Sequence, residues 1–253
     1  MPDTRRQDEL YVGYLPVPPR QKHFLRWMVP AALWIACGIC LLWARSQHAP
    51  GAAVWDQGRA ITLRGTVLAN PYPMLLTTNA EGEPEFVLLV EVGKRGGGQR
   101  IAALDGQRAI VTGWPLNRDG RRIVELEPGT EALLPDKEEG IPGVVPPSMP
   151  LGRVTLRGEI VDSKCYLGAM KPGEGKTHKE CATLCIRGGI PPMFITRDST
   201  GRATYYLLQS PGGGPLDPDI QPFIADPVQL SGMLCTWANL KTLTVKPADI
   251  SRL

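Results

Sequence analysis

The segment PMLLT at 73–77 returns later in the chain as PMFIT at 192–196, and this repetition decides how the sequence is interpreted. The two segments are 119 residues apart, and other matching segments keep that spacing without a gap across 56 residues. These matches are Gly82 with Gly201, FVLL (86–89) with YYLL (205–208), Gly113 with Gly232, and Pro128 with Pro247. The sequence therefore contains two copies of one small domain.

Each copy has the pattern of five short strands. Apolar and polar residues alternate over runs of roughly 4 to 8 positions, as in LDGQRAIVTG at 104–113, which is the period of a half-buried strand. The 28 glycines and 25 prolines argue against a long helical bundle. Five strands in about 70 residues suit a small barrel of the OB type, because closure removes exposed edges. We predict an all-β fold with two tandem OB-like five-stranded barrels, over 55–130 and 153–249.

The second copy is longer than the first at one place. ITLRG at 61–65 matches VTLRG at 154–158, but here the spacing is 93 residues instead of 119. The second barrel therefore carries a 26-residue insertion between its first and second strands, which we place within 161–191. Between the copies, residues 131–152 are rich in proline and acidic residues, which is typical of a semi-rigid linker.

Residues 27–44 carry no charge, and eighteen residues of helix span roughly the 30 Å hydrocarbon core of a bilayer. Trp27 and Trp43 lie at the two ends of this run, as in an interfacial aromatic belt. Residues 1–26 hold five arginines and lysines, whereas only Arg45 follows immediately. The positive-inside rule predicts a cytoplasmic tail at 1–26, a single span through the bacterial inner membrane and periplasmic C-terminal domains. Because the charged region is long for a signal peptide, we expect an anchor that is not cleaved.

The charge balance limits the possible partners. With 28 Lys and Arg against 25 Asp and Glu, the net charge of +3 is too small for a nucleic-acid-binding protein. The insertion is locally basic, which is typical either of a solvated loop or of a surface for an anionic partner. Its basic residues are Lys164, Lys171, Lys176, Lys179 and Arg187, against Glu174 and Glu180.

The end of the insertion has helix signals. Thr177 followed three residues later by Glu180 is a capping-box pattern, and Gly188 supplies a stop. We therefore expect a short helix over 178–187.

The insertion also contains three cysteines and a histidine that the first copy lacks: Cys165, His178, Cys181 and Cys185. At 100° per residue, the last three fall within about 60° of one another on one face of the predicted helix. Another cysteine, Cys235, takes the place of Leu116 in the first copy, so its sulfur would tie the insertion to its barrel.

These side chains leave three chemistries open. Cys165, Cys181, Cys185 and Cys235 are candidates for two disulfides, and four cysteines permit three pairings. Cys165, His178, Cys181 and Cys185 are candidate metal ligands, because three thiolates and an imidazole form a known tetrahedral zinc set and thiolates also suit copper; a haem site is a further possibility. A thiol-redox role is the third, since neighbouring lysines and a helix N-terminus would depress the pKa of Cys165 or Cys181.

Three segments of the insertion resemble a family of proteins. They are DSKCYLG at 162–168, GEGKTHKECATLC at 173–185 and GGIPPMF at 188–194. Together they resemble an uncharacterised family of exported bacterial small-barrel domains with the motif CYLG followed by HxxCAxxC. The resemblance covers the second copy only, and it implies an exported compartment without implying an activity.

The anchor, the tandem scaffold and the sulfur-rich insertion favour a membrane-anchored, non-catalytic accessory or assembly subunit of a respiratory oxidoreductase. Its protein partner would then belong to an inner-membrane or periplasmic redox complex. The alternatives are a periplasmic zinc, copper or haem carrier that uses the insertion, and a thiol–disulfide oxidoreductase. The sequence contains neither HExxH nor CxxCH, and MKPGEGKT at 170–177 departs from the phosphate-binding loop at its first required glycine.

Overall fold

The predicted membrane span lies within helix α1, Pro19–Ser46, in a computed structural model that describes residues 17–47, 53–137 and 143–253. Proline at the first helical position costs no hydrogen bond, because the first amides of a helix have no partner within it. No residue in the most apolar stretch of this helix is buried within the protein. This is what we expect of a membrane anchor or a signal sequence. Of the predicted tail, residues 1–16 lie outside the described residues.

The first barrel begins at residue 53. Its strands are β1 Ala53–Trp55, β2 Ile61–Leu68, β3 Met74–Thr78, β4 Pro84–Glu91, β5 Arg95–Gly96, β6 Arg108–Arg118, β7 Arg121–Leu126 and β8 Leu133–Pro135, with a single-turn helix α2 at Gly98–Ile101. The sheet closes because β2 pairs with β3, β3 with β4, β4 in parallel with β7, β7 with β6, and β6 again with β2. The barrel interior is apolar and includes Val67, Leu75 and Val87.

The second barrel repeats this topology. Its strands are β9 Met149–Asp162, β10 Pro192–Arg197, β11 Ala203–Gln209, β12 Pro227–Trp237, β13 Leu240–Thr244 and β14 Ile250–Arg252. Pairing again runs from β9 to β10 and β11, in parallel to β13, then to β12 and back to β9. The predicted pair of five-stranded barrels is confirmed, and β12 spans the residues of β6 shifted by 119.

Repeated glycines mark points where strands cross too closely for a side chain. A Cβ atom added to Gly113 would lie 2.2 Å from the carbonyl oxygen of Glu125. The equivalent Gly232 stands against Thr244, whose carbonyl oxygen would be 2.5 Å from such an atom. Gly113 lies on β6, which pairs with β7, and Gly232 lies on β12, which pairs with β13. Both copies have glycine here because the strands of a small closed barrel approach each other closely at this position.

The predicted linker over 131–152 is too long at both ends. Leu133–Pro135 forms β8 and pairs with β6, because Leu133 enters the apolar interior of the first barrel. The far end belongs to β9, which starts at Met149 and pairs with the end of β12. Residues 138–142 of the predicted linker lie outside the described residues.

A third apolar core, which we call the seam, lies between the two barrels. It is formed by the outer faces of β3 and β4 packing against the outer faces of β10 and β11. Its central residues are Met74, Leu76, Phe86 and Leu88 from the first barrel and Met193, Ile195, Tyr205 and Leu207 from the second. Each of the first four is 119 residues before its counterpart, so equivalent faces meet as they do in an isologous dimer.

Polar contacts at the seam follow the same pseudo-symmetry. The side chain of Asn239 accepts a hydrogen bond from the backbone N–H of Phe86 at 2.8 Å and donates one to its carbonyl oxygen at 3.1 Å. Likewise, the hydroxyl of Tyr205 in the second barrel donates to the carboxylate of Asp119 in the first. Asn239 and Asp119 lie in the turns that follow β12 and β6, and Phe86 and Tyr205 are the equivalent residues of β4 and β11.

We expect the seam to make the two barrels unfold in one transition. Phe86 is 1% exposed, and its ring centroid lies 4.3 Å from that of Trp237. Replacing Phe86 with Ala should lower the free energy of unfolding by about 3 kcal/mol, because it removes buried contacts and leaves a cavity. Chemical denaturation of the full chain in detergent micelles measures this change.

Val92→Ala is the matched control, because Val92 is 39% exposed and its truncation should change stability by less than about 0.5 kcal/mol. Two separate unfolding transitions in the unmodified chain, or no loss in Phe86→Ala, would show that the barrels are independent.

Candidate metal centre at the seam

The insertion occupies residues 163–191, between β9 and β10. It begins with one helical turn at Cys165–Ala169 and ends with a 3-10 turn at Lys176–His178 that continues into helix α3, Lys179–Arg187. The short helix predicted for the second barrel is therefore confirmed.

The capping box predicted for this helix is wrong. The residue before α3 is His178, and no side chain caps the helix there. Thr177 already lies within the preceding 3-10 turn, so it cannot take the position before the first helical residue. The predicted stop is correct: α3 ends at Arg187, Gly188 caps it by donating its N–H to the carbonyl oxygen of Leu184, and Gly189 has a positive φ that does not continue the helix.

The sulfur atom of Cys165 lies close to two other sulfur atoms of the insertion. The Cys165 Sγ lies 4.0 Å from the Cys181 Sγ and 3.9 Å from the Cys185 Sγ. A disulfide needs about 2.05 Å between its sulfurs, so the predicted disulfides are not present. All six cysteines lie in the described part of the chain and all are free, including Cys235, which is half-buried on β12 and belongs to neither of the donor groups found there.

Two side chains complete the cluster. A ring nitrogen of His178 lies within 4.8 Å of the sulfurs of Cys165 and Cys181. A carboxylate oxygen of Asp162 lies within the same distance of the sulfurs of Cys165 and Cys185. The His178 Nε2 is 3.1 Å from Asp162 Oδ2, and Asp162 Oδ1 accepts the Cys165 backbone N–H at 2.8 Å. The carboxylate therefore orients both the imidazole and the start of the insertion.

Sequence reasoning missed Asp162, although a signal was present. Asp162 is the last residue of β9 and begins the DSKCYLG segment directly before the first cysteine. A carboxylate bound to the histidine of a metal site fixes the ring orientation and increases its basicity. A fully buried aspartate next to a histidine and three cysteines therefore supports a metal centre.

The spacing of the donors fits a tetrahedral thiophilic metal ion. Zinc–sulfur bonds of about 2.3 Å at the tetrahedral angle place two sulfurs about 3.8 Å apart, close to the distances between Cys165 and its neighbours. Cys165, Cys185 and His178 are buried, and Cys181 is partly exposed. The donor atoms form two groups of three that share Cys165, one with His178 and Cys181 and the other with Asp162 and Cys185.

The first barrel also contributes to this centre. Lys94, in the turn between β4 and β5, donates a hydrogen bond from Nζ to the Cys181 Sγ at 2.7 Å, and the same nitrogen lies 3.8 Å from the Cys185 Sγ. The hydrogen bond to Cys181 raises the pKa of Lys94, so the ammonium stays charged. Sequence reasoning expected lysines of the insertion in this position, whereas the cation comes from a residue 87 positions before Cys181.

The pKa values of the Cys165 and Cys185 thiols are shifted in opposite directions. The hydrogen bond with Cys185, together with burial, raises the pKa of Cys165. The hydrogen bond from Cys165 is the largest cause that lowers the pKa of Cys185, and the charge of Lys94 acts in the same direction. Of this pair, the Cys165 thiol therefore has the higher pKa and the Cys185 thiol the lower.

A buried ion pair joins the barrels next to the centre. The Lys164 Nζ lies 2.7 Å from Glu125 Oε2 and donates to the carbonyl oxygens of Glu91 and Gly93 at 2.7 Å each. Both charged side chains are almost fully buried. Because Lys164 immediately precedes Cys165, these bonds fix the first ligand segment to the first barrel.

The predicted surface for an anionic partner is smaller than expected. Lys164 is buried at the seam, and Lys179 donates to the carboxylate of Asp226 at 2.7 Å. The hydrogen bond with Lys179 lowers the pKa of Asp226, and Arg252 also contacts this carboxylate. Two of the five basic residues of the insertion are therefore already paired with carboxylates of the protein.

Removing one partner of the buried pair should destabilise the protein strongly. We expect Lys164→Met to lower the free energy of unfolding by about 3 kcal/mol, because Glu125 would remain as an uncompensated buried charge. Adding Glu125→Gln to that variant should recover part of the loss, which a double-mutant cycle by chemical denaturation measures. Lys171→Met, at an exposed lysine of the same insertion, is the control. Additive effects of the two substitutions would contradict a direct Lys164–Glu125 interaction.

No protein-family model, curated protein or solved structure matches this chain. The resemblance to exported small-barrel domains therefore stays a prediction from the CYLG and HxxCAxxC motifs.

Proposed function

We propose that this chain is a membrane-anchored metal-binding protein that holds one thiophilic metal ion, Zn²⁺, with Cys165, Cys181, Cys185 and His178. The observation that carries the proposal is that the Cys165 sulfur lies at tetrahedral ligand spacing from the free sulfurs of Cys181 and Cys185, beside the buried His178. Three converging thiols with neither a disulfide nor a metal would be an unstable arrangement in an exported protein, because oxidising compartments convert free thiols to disulfides.

The donor set favours zinc over copper. Zinc in structural sites takes four protein ligands in a tetrahedron, and three thiolates with one imidazole is one of its usual sets. The bond between His178 and Asp162 supports the same assignment, because it holds the imidazole in place as a ligand. A Cu(I) ion bound by the sulfurs alone would leave the histidine without a role.

A filled coordination sphere has a structural consequence. Catalytic zinc keeps one position open for water or substrate, whereas four protein ligands close the site. The ion would connect the first turn of the insertion to helix α3 and so fix a segment that has little regular structure of its own. This supports a scaffold role, and it agrees with the sequence-based hypothesis of a non-catalytic accessory subunit of a respiratory oxidoreductase.

We place the centre in the periplasm of a bacterium. The apolar helix would then act as an uncleaved anchor with its N-terminus in the cytoplasm. The basic residues before the span support this orientation, and the tryptophans at 27 and 43 support a complete span. In this compartment a bound metal ion would also protect the three thiolates from oxidation.

Purified full-length chain in detergent micelles should contain one zinc per chain by elemental analysis. Cys165→Ser and His178→Ala should each weaken zinc binding by more than about tenfold, because each removes a ligand of a four-coordinate ion. Cys235→Ser is the matched control and should bind zinc like the unmodified chain. Replacement of zinc by Co²⁺ should give sulfur-to-cobalt charge-transfer absorption, which reports thiolate ligation directly.

The proposal is wrong if the unmodified chain binds no zinc, whether thiol titration finds the insertion cysteines reduced or oxidised. It is also wrong if Cys235→Ser loses zinc as fully as Cys165→Ser does.

A further inference from the structure

The first barrel supplies a charged side chain to a centre whose other members all come from the second barrel. Lys94 places its ammonium group on the sulfurs of Cys181 and Cys185. We infer that Lys94 is a positioning residue of the metal centre, and that metal binding and docking of the two barrels consequently stabilise each other. This inference rests on the proposed function and adds a member of the centre that does not touch the ion.

The charge of a loaded centre explains why a cation is needed. One Zn²⁺ with three thiolates and a neutral imidazole carries a net charge of −1, and the buried carboxylate of Asp162 adds another negative charge beside it. An uncompensated charge in a mostly buried site is unfavourable. Lys164 and Lys179 are the lysines closest in sequence to the ligands, but they bind Glu125 and Asp226 instead. Lys94 lies at the exposed edge of the centre and offsets one of these two negative charges.

The contacts that dock the barrels also hold Lys94 against the sulfurs. On one side, Lys164 donates to the carbonyl oxygen of Gly93, directly before Lys94. On the other side, the backbone N–H of Gly96 donates to the carbonyl oxygen of Gly188 at 2.8 Å, directly after α3. The turn that carries Lys94 is therefore fixed at both ends by segments that carry metal ligands. Separation of the barrels would withdraw the ammonium group, and loss of the ion would weaken the docking.

The backbones in this part of the seam approach too closely for side chains. A Cβ atom on Gly188 would lie 1.8 Å from the carbonyl oxygen of Lys94, and one on Gly96 would lie 2.1 Å from that of Gly189. A methyl group at Gly96 must push the turn away from α3 without touching a sulfur or the ammonium group. This position therefore offers a second and independent way to disturb the centre from the first barrel.

The first test compares zinc affinities of full-length variants by competition with a chromophoric chelator. We expect Lys94→Met to bind zinc about 10- to 100-fold more weakly, which is the usual effect of removing a group that supports metal ligands. Lys94→Arg keeps the charge and should recover most of the affinity. Arg95→Met is the matched control, because the neighbouring Arg95 side chain is 72% exposed.

A spectroscopic readout separates positioning from a general loss of stability. In the Co²⁺-loaded protein, loss of the hydrogen bond to the Cys181 sulfur in Lys94→Met should shift the sulfur-to-cobalt charge-transfer band. Arg95→Met should leave that band unchanged.

Gly96→Ala tests the linkage from the backbone. It should weaken zinc binding in the same direction as Lys94→Met, whereas Gly98→Ala should not, because the nearest atom to its added Cβ is 4.0 Å away.

If the unmodified chain binds one zinc and both Lys94→Met and Gly96→Ala bind it equally well, the inference is overturned and the proposed function stands. If the unmodified chain binds no zinc, both are overturned.

Discussion

The seam is the interaction on which the architecture of the two barrels depends. Residues of β4 alternate between the interior of the first barrel and the seam, so that Val87 and Leu89 face inward while Phe86 and Leu88 face the second barrel. The equivalent strand β11 alternates in the same way, with Tyr205 and Leu207 in the seam and Tyr206 and Leu208 in the core of the second barrel. Each barrel therefore has strands with two buried faces. If the barrels separated, one face of these strands would be exposed to water, and the stabilisation from burying that apolar area would be lost.

The location of the cysteine and histidine cluster follows from how the two barrels pack. The insertion leaves the second barrel beside the seam and meets the turn at 91–96 of the first barrel. Two rigid barrels fix the relative positions of Asp162, Lys94 and the three cysteines, although these residues come from strand ends, a helix and a loop. Functional side chains on loops that a rigid scaffold holds in place are a common solution in proteins.

The barrels could be predicted from the sequence because strand pairing within each copy is local and the repeat preserves its spacing. The seam was also indicated, by FVLL and YYLL, since uninterrupted apolar runs in strands are typical of two buried faces. We interpreted them only as strands. Lys94 could not be predicted, because its place against Cys181 depends on how the two copies dock and not on any spacing within one copy.

Differences between the two copies explain why the pseudo-symmetric seam has one cysteine cluster instead of two. A contact between equivalent faces brings each pair of equivalent segments together twice. The short β2–β3 connection of the first barrel contacts the second barrel, where the Tyr72 hydroxyl accepts the backbone N–H of Leu216 at 2.8 Å. That connection has no cysteine, and the residue equivalent to Lys94 in the second copy is Gly213. Both halves of the centre are thus missing from the symmetry-related position. The cysteine-rich loop lies on one copy and the lysine on the other, so the two copies contribute different residues to the same cluster from opposite sides of the seam.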